Sequence, residues 1–168
     1  MEEYVSLWIE RCDREKYQDS APATGLRIHY QDGLKPDLLA DVKKLVIYLR
    51  KNYYFPIRCN VIISNHTVYH SINDGHKYYG VFYDNEKRYP NRRIYPQIAV
   101  CGGTDEKNCI DEVLLTFLHE LTHYFQWYFF EDKRRTDRSL EIEANKWANY
   151  LMYCYRSQNL PDEGSAEN

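Results

Sequence analysis

The chain has 168 residues, a length typical of one domain, and 43% of them are hydrophobic, which is enough to bury a single core. Its 25 acidic and 22 basic residues give a formal charge of -3, too balanced for the broad positive surface of a nucleic-acid-binding protein. The first 24 residues lack the basic start and apolar run of a signal peptide, and no stretch has the roughly 18 apolar residues of a membrane span. We therefore expect a cytoplasmic protein with one domain, residues 1–160, and a disordered tail, residues 161–168.

The five cysteines are scattered, odd in number and include no CxxC pair. This pattern disfavours both a disulfide framework and a zinc ribbon. We interpret them as small buried side chains. They are Cys12, Cys59, Cys101, Cys109 and Cys154.

Hydrophobic spacing predicts two helices in the first third of the chain. Residues 2–15 carry four apolar side chains at helical spacing. A second helix is predicted at about residues 36–53, because Pro36 suits a first helical turn and the apolar residues from Leu38 to Leu49 form one stripe. That stripe is expected to face the core.

Three strands are predicted next, at residues 59–64, 78–84 and 94–101, separated by turn-rich segments. They indicate a small sheet of three to four strands, mostly antiparallel. Pro96 cannot donate a ladder hydrogen bond, so the third strand should lie at an edge or begin there. The segment from Ile94 to Val100 is a candidate for binding a substrate backbone in extended form; the alternative is a purely structural strand.

Two further helices complete the prediction. One covers about residues 108–130, with Asn108 as its candidate N-cap, and the other covers about residues 139–157, after a charged loop. The order helix, sheet, helix, helix indicates an α+β fold in which a small sheet packs against helices.

The residue pattern of a catalytic metal site lies in the first of these two helices. His119 and His123 are four residues apart, so both imidazoles project from one helix face and can bind one metal ion. Glu120 lies about 100° round the helix, beside the metal and free to act as a base on water. Apolar residues of the same helix can hold these side chains rigidly against the core. The pattern predicts a hydrolytic Zn²⁺ site.

A catalytic zinc ion needs a third protein ligand and an open fourth position. Glu141 and Glu143 in the last helix are the candidates, and only one can face the site because positions two apart diverge by about 200°. Helical geometry does not choose between them. Glu143 shares its side with Trp147, whereas Glu141 shares its side with Asn145, so the drier surroundings favour Glu143.

Two motifs carry a resemblance to a known family. HELTH at residues 119–123, followed about twenty residues later by EANKWANYLM at residues 143–152, resembles the gluzincin metallopeptidases. Within them the chain is most similar to the small ImmA/IrrE-like group, whose second motif reads EANxFAxxLL. The order of one helix, three strands, motif helix and ligand helix is also similar to that group.

The resemblance implies a zincin-like fold and a zinc-dependent peptidase. It implies that His119, His123 and Glu143 hold Zn²⁺ and that Glu120 is the general base for a zinc-activated water. The expected partner is a protein or peptide substrate, with a regulatory protein as a second candidate and no membrane.

Two alternatives stay open. The first is a non-catalytic or regulatory metal-binding protein with the same fold, which would have no need of Glu120 as a base. The second is an SprT-like DNA-associated protease, disfavoured by the absence of a CxxC pair. We interpret the basic clusters within residues 87–93 and 133–138 as solvated turns, so nucleic acid is not expected as a partner. Tyr124 and Tyr150 lie near the motifs and are interpreted as packing residues.

Overall fold

The computed structural model describes residues 25–129 and 135–158, which form three helices and eight strands. The helices are α1 (Pro36–Asn52), α2 (Ile110–Phe129) and α3 (Asp137–Gln158). The strands are β1 (Leu26–Tyr30), β2 (Cys59–Ser64), β3 (Tyr69–His70), β4 (Lys77–Tyr78), β5 (Gly80–Tyr83), β6 (Lys87–Tyr89), β7 (Arg92–Ile94) and β8 (Gln97–Cys101). The helix predicted at residues 2–15 and the tail predicted at residues 161–168 lie outside the described residues.

A four-stranded sheet in the order β1-β2-β8-β5 forms the centre of the fold. It packs against the helices, which confirms the α+β class. Within this sheet β1–β2 and β2–β8 are parallel and β5–β8 is antiparallel, so the sheet is mixed rather than mostly antiparallel. The parallel pairing follows from α1, a 17-residue crossover helix that returns the chain to the same end of the sheet before β2 begins.

The three predicted helices within the described residues are confirmed to within two residues at each end. One detail differs: α2 begins at Ile110, and Asn108 does not cap it. The buried Asn108 amide instead donates to the backbone oxygens of Cys101 (3.2 Å) and Gly103 (3.1 Å). Asn108 therefore holds the end of β8 next to the start of α2.

Strand β8 occupies an interior position in the sheet. It begins directly after Pro96, as one of the two predicted placements requires. Because β8 pairs with β2 on one side and β5 on the other, its main-chain groups are used within the sheet. The prediction that Ile94 to Val100 binds an extended substrate is therefore wrong. The strand with a free edge on this side is β5, since no strand among the described residues pairs with its other side.

Tyr124 links α2 to the connection between α1 and β2. Its ring is fully buried, its hydroxyl donates to the backbone oxygen of Ile57, and the Ile57 N–H donates back to it at 3.2 Å. The interpretation of Tyr124 as a packing residue is confirmed. Tyr150 lies against the Trp147 ring at 5.3 Å between centroids but remains 47% exposed.

The four cysteines among the described residues differ in their exposure. Cys59 and Cys101 are buried, Cys154 is partly buried, and Cys109 is exposed, which differs from the expectation of burial.

Over residues 25–129 and 135–158, no helix is long and apolar enough to cross a membrane.

Candidate metal centre

The two histidines of the motif helix face one another on the surface of α2. Both rings are partly buried, and their Nε2 atoms lie 3.1 Å apart. The residues on the opposite side of the helix, including Leu118 and Leu121, are fully buried in the core. The imidazoles are therefore carried by a helix that its own apolar face holds in place.

Glu141 on α3 completes a three-residue cluster. Its Oε2 lies 3.1 Å from Nε2 of His119, and its Oε1 lies 3.1 Å from Nε2 of His123. Helices α2 and α3 pack closely over their length, which brings the second motif alongside the first. His119, His123 and Glu141 form a group that could hold a metal ion.

The structure does not bring Glu143 to the histidines, so the choice of Glu143 over Glu141 is corrected here. Glu143 pairs with Arg135 and accepts a hydrogen bond from Nε2 of Gln126 at 3.1 Å. Its side chain is indeed the drier one, 11% exposed against 57% for Glu141. Low solvent exposure did not identify the ligand, because a site that admits substrate lies in an open cleft. The buried Glu143 carboxylate is already paired with the Arg135 guanidinium.

The second nitrogen of each imidazole contacts an amide oxygen. Nδ1 of His119 lies 3.0 Å from Oδ1 of Asn145, and Nδ1 of His123 lies 2.8 Å from Oε1 of Gln126. An amide oxygen can only accept, so each Nδ1 donates to its amide partner, and the Nε2 atom of each ring is turned toward the cluster. Neither Asn145 nor Gln126 was assigned a role from sequence, although Gln126 follows His123 by one helical turn.

The charges and distances of the cluster fit a cation. The two Nε2 atoms and the Glu141 carboxylate oxygens lie 3.1 Å from one another, and a positive charge between them would stabilise all three groups. Burial, and then the nearby His123, lower the pKa of His119, which favours the neutral ring that binds metals. Tetrahedral zinc with bonds of about 2.0–2.1 Å separates its ligand atoms by about 3.3 Å. The residues present therefore fit a tetrahedral metal with one open position.

Glu120 lies between α2 and β5 and is 7% exposed. Burial raises its pKa to about 8, the negative charge of Glu141 adds to this rise, and a hydrogen bond from the Phe82 backbone N–H opposes it. A carboxyl group with a pKa near neutrality can both take up and release a proton under physiological conditions. That property suits a general base, and the role of Glu120 as the base stays a prediction.

A cleft with a volume of about 670 Å³ opens over the cluster. One wall is β5 and the segment before it, and the others are α2 and α3. It is lined by Tyr78, Tyr79, Gly80, Val81, Phe82, Glu112, Leu115, Thr116, His119, Glu120, His123, Glu141, Asn145, Ala148 and Asn149. The two histidines, Glu120 and Glu141 thus share one solvent-accessible cavity.

The main chain of β5 faces this cleft at alternate residues. The Cys101 N–H donates to the Tyr79 oxygen at 2.8 Å, so Tyr79, and by alternation Val81, turn their main-chain groups toward β8. Gly80 and Phe82 therefore turn theirs toward the free edge, in agreement with the bond from Phe82 to Glu120. Sequence reasoning predicted a strand at residues 78–84 but not its edge position, because that position depends on pairings distant in the chain.

Gly80 allows β5 to approach α2 at the position of Glu120. A Cβ atom at residue 80 would lie 2.6 Å from Cγ2 of Thr116 and 2.9 Å from Cγ of Glu120. We expect Gly80→Ala to lower the free energy of unfolding by about 1–3 kcal/mol, because the added methyl overpacks this contact. Urea denaturation measures the change. Thr116→Ser removes the nearest clashing atom and should restore part of the loss in the double variant; an unchanged stability for Gly80→Ala would contradict this close packing.

No protein-family model matches the chain, and neither a curated protein nor a solved structure is significantly similar to it. The resemblance to the ImmA/IrrE-like gluzincins therefore depends on the two sequence motifs and stays a prediction.

Proposed function

We propose that this protein is a zinc-dependent peptidase whose metal ligands are His119, His123 and Glu141 and whose general base is Glu120. The observation that carries the proposal is the convergence of two imidazole Nε2 atoms and a carboxylate beside a buried carboxyl group in an open cleft. A purely structural site would need neither the cleft nor the adjacent Glu120.

Zinc is the metal that this set of ligands favours. Two imidazole nitrogens and one carboxylate are a common ligand set of catalytic zinc, whereas calcium and magnesium prefer sites made of oxygen atoms. Three protein ligands also leave a fourth position open toward the cleft. When bound, zinc polarises a substrate carbonyl and makes water at its open position more acidic.

The protein residues supply the proton transfers of the proposed reaction. Glu120 accepts a proton from the attacking water and returns it to the nitrogen of the leaving amine, which balances the hydrolysis. The Phe82 N–H orients the carboxyl group from the side of β5.

The free edge of β5 is the proposed docking site for the substrate backbone. Gly80 turns its N–H and its oxygen toward the cleft, and Phe82 turns its oxygen there while its N–H bonds Glu120. An extended peptide can pair with such an edge as an added strand. This placement sets an extended chain beside Glu120 and the metal ligands. It replaces β8, which the sequence had suggested for the same purpose.

Metal content and hydrolysis together test the proposal. The purified protein should bind about one zinc ion and cleave a denatured protein such as unfolded casein. A chelator should abolish cleavage, zinc should restore it, and magnesium serves as the matched ion that should not. Zinc binding without cleavage across a broad peptide library would instead support the non-catalytic alternative, and the absence of zinc binding would exclude both.

A further inference from the structure

We infer that Glu143, through Gln126, is a positioning residue that fixes the orientation of the His123 ring, with Nδ1 toward the amide oxygen and Nε2 toward the metal position. The inference depends on the proposed zinc site and assigns a role to the carboxylate that the site itself does not use. Its physical basis is a chain of contacts from Arg135 through Glu143 and Gln126 to His123.

The first step is the orientation of the Gln126 amide. Its Nε2 donates to Oε2 of Glu143 at 3.1 Å and to the backbone oxygen of Leu140 at 3.0 Å. Both partners are acceptors, so the NH₂ end of the amide must face them. The oxygen end is then directed at Nδ1 of His123, 2.8 Å away.

The second step is the state of His123. An oxygen acceptor at Nδ1 requires the ring proton there, which leaves the Nε2 lone pair for the metal. If the amide turned over, its NH₂ group would oppose a protonated Nδ1 and favour the opposite tautomer, whose Nε2 cannot bind a metal. The Glu143 carboxylate disfavours that reversal, because the amide oxygen would then face a negative charge.

The third step is the confinement of Glu143. Arg135 pairs with it and also donates to the backbone oxygen and hydroxyl of Ser139, at 3.1 and 2.8 Å. The side chains of Arg135 and Glu143 are 16% and 11% exposed, and Gln126 is 3% exposed. Hydrogen bonds in such a dry environment are stronger than at the surface, so the chain holds the amide firmly.

The other histidine has a simpler partner. His119 contacts only Oδ1 of the exposed Asn145 through its Nδ1. Three alternate residues of α3 thus contact the histidine pair directly or through Gln126. Glu141 lies at both Nε2 atoms, Asn145 lies at Nδ1 of His119, and Glu143 reaches His123 through Gln126. The two glutamates thus have separate contacts: Glu141 lies at the metal position, and Glu143 bonds the amide that contacts His123.

Zinc affinity, measured by competition with a chromophoric chelator, tests the inference. Glu143→Ala should weaken zinc binding by about 10- to 100-fold, the usual effect of removing an outer partner of a metal-bound histidine. The visible absorption bands of the cobalt-substituted protein should shift, because the His123 ring changes orientation. Glu143→Gln, which can still accept from Gln126, should restore most of the affinity. Arg138→Ala, an exposed arginine of the same helix, is the matched control and should behave as wild type.

A second variant keeps the test valid if Glu143→Ala does not fold. Gln126→Met preserves volume but cannot accept at Nδ1 of His123, so it should cause a similar loss of affinity. Adding Glu143→Ala to Gln126→Met should cause no further loss, since both act through the same contact. Wild-type zinc affinity in folded Glu143→Ala or Gln126→Met would overturn the inference, as would fully additive losses. If the wild-type protein itself binds no zinc, the proposed function fails instead.

Discussion

Glu120→Gln should lower the rate of peptide hydrolysis by about 10²- to 10⁴-fold, the usual contribution of a general base. The amide keeps the shape of the side chain in its buried position beside β5 but cannot accept a proton from water. Since Glu120 does not contact the metal position directly, zinc affinity should stay within about threefold of wild type. Cleavage of a fluorogenic protein substrate and chelator competition measure the two quantities on the same preparation.

Measuring hydrolysis and zinc affinity separately distinguishes a role of Glu120 in proton transfer from a role in metal binding. Glu106→Gln, a change at an exposed turn outside the cleft, is the matched control and should leave both quantities unchanged. Hydrolysis that survives Glu120→Gln would remove Glu120 from the mechanism. Loss of zinc together with loss of hydrolysis would show that Glu120 supports the metal site rather than the proton transfer.

Glu141→Ala should weaken zinc binding by more than about 100-fold, beyond the range expected for any outer partner. The Glu141 side chain is 57% exposed and contributes little to the core, so the fold should not change. Its loss removes one of the three atoms that surround the metal position. Chelator competition gives the affinity, and far-ultraviolet circular dichroism verifies that the variant is folded.

The comparison with the neighbouring glutamate decides the identity of the ligand. Glu143→Gln should weaken zinc binding far less than Glu141→Ala, because only Glu141 faces the histidines. The reverse order would reinstate Glu143 as the ligand and contradict the placement of the last helix in the structure.

Features that depend on local spacing were predictable from the sequence. The helices follow from apolar residues at helical period, and the placement of His119 and His123 on one face follows from their separation by four residues. The sequence also established that Glu141 and Glu143 cannot both face the site. Choosing between them required the packing of α3 on α2, which brings Glu141 to the two histidines.

Features that depend on distant pairings were not predictable. No local pattern indicates that β1 lies beside β2 or that β8 lies between β2 and β5, so neither the parallel pairings nor the free edge of β5 was predicted. Gly80 could have been noticed as a glycine inside a strand, which often marks a close approach of another segment. The identity of that segment, the turn of α2 that carries Glu120, is visible only in the folded structure.

The shortness of β5 limits what the proposed enzyme could recognise. Within β5 only Gly80 and Phe82 turn main-chain groups outward, the Phe82 N–H already bonds Glu120, and each remaining hydrogen bond contributes about 0.5–1.5 kcal/mol net. So small a gain cannot unravel a stable domain, whose unfolding costs about 5–15 kcal/mol. Cleavage would therefore fall on segments that are already extended or that open spontaneously. The rate at which a protein is degraded would then follow the local opening free energy of the target, and tightly folded proteins would be spared without any dedicated mechanism of exclusion.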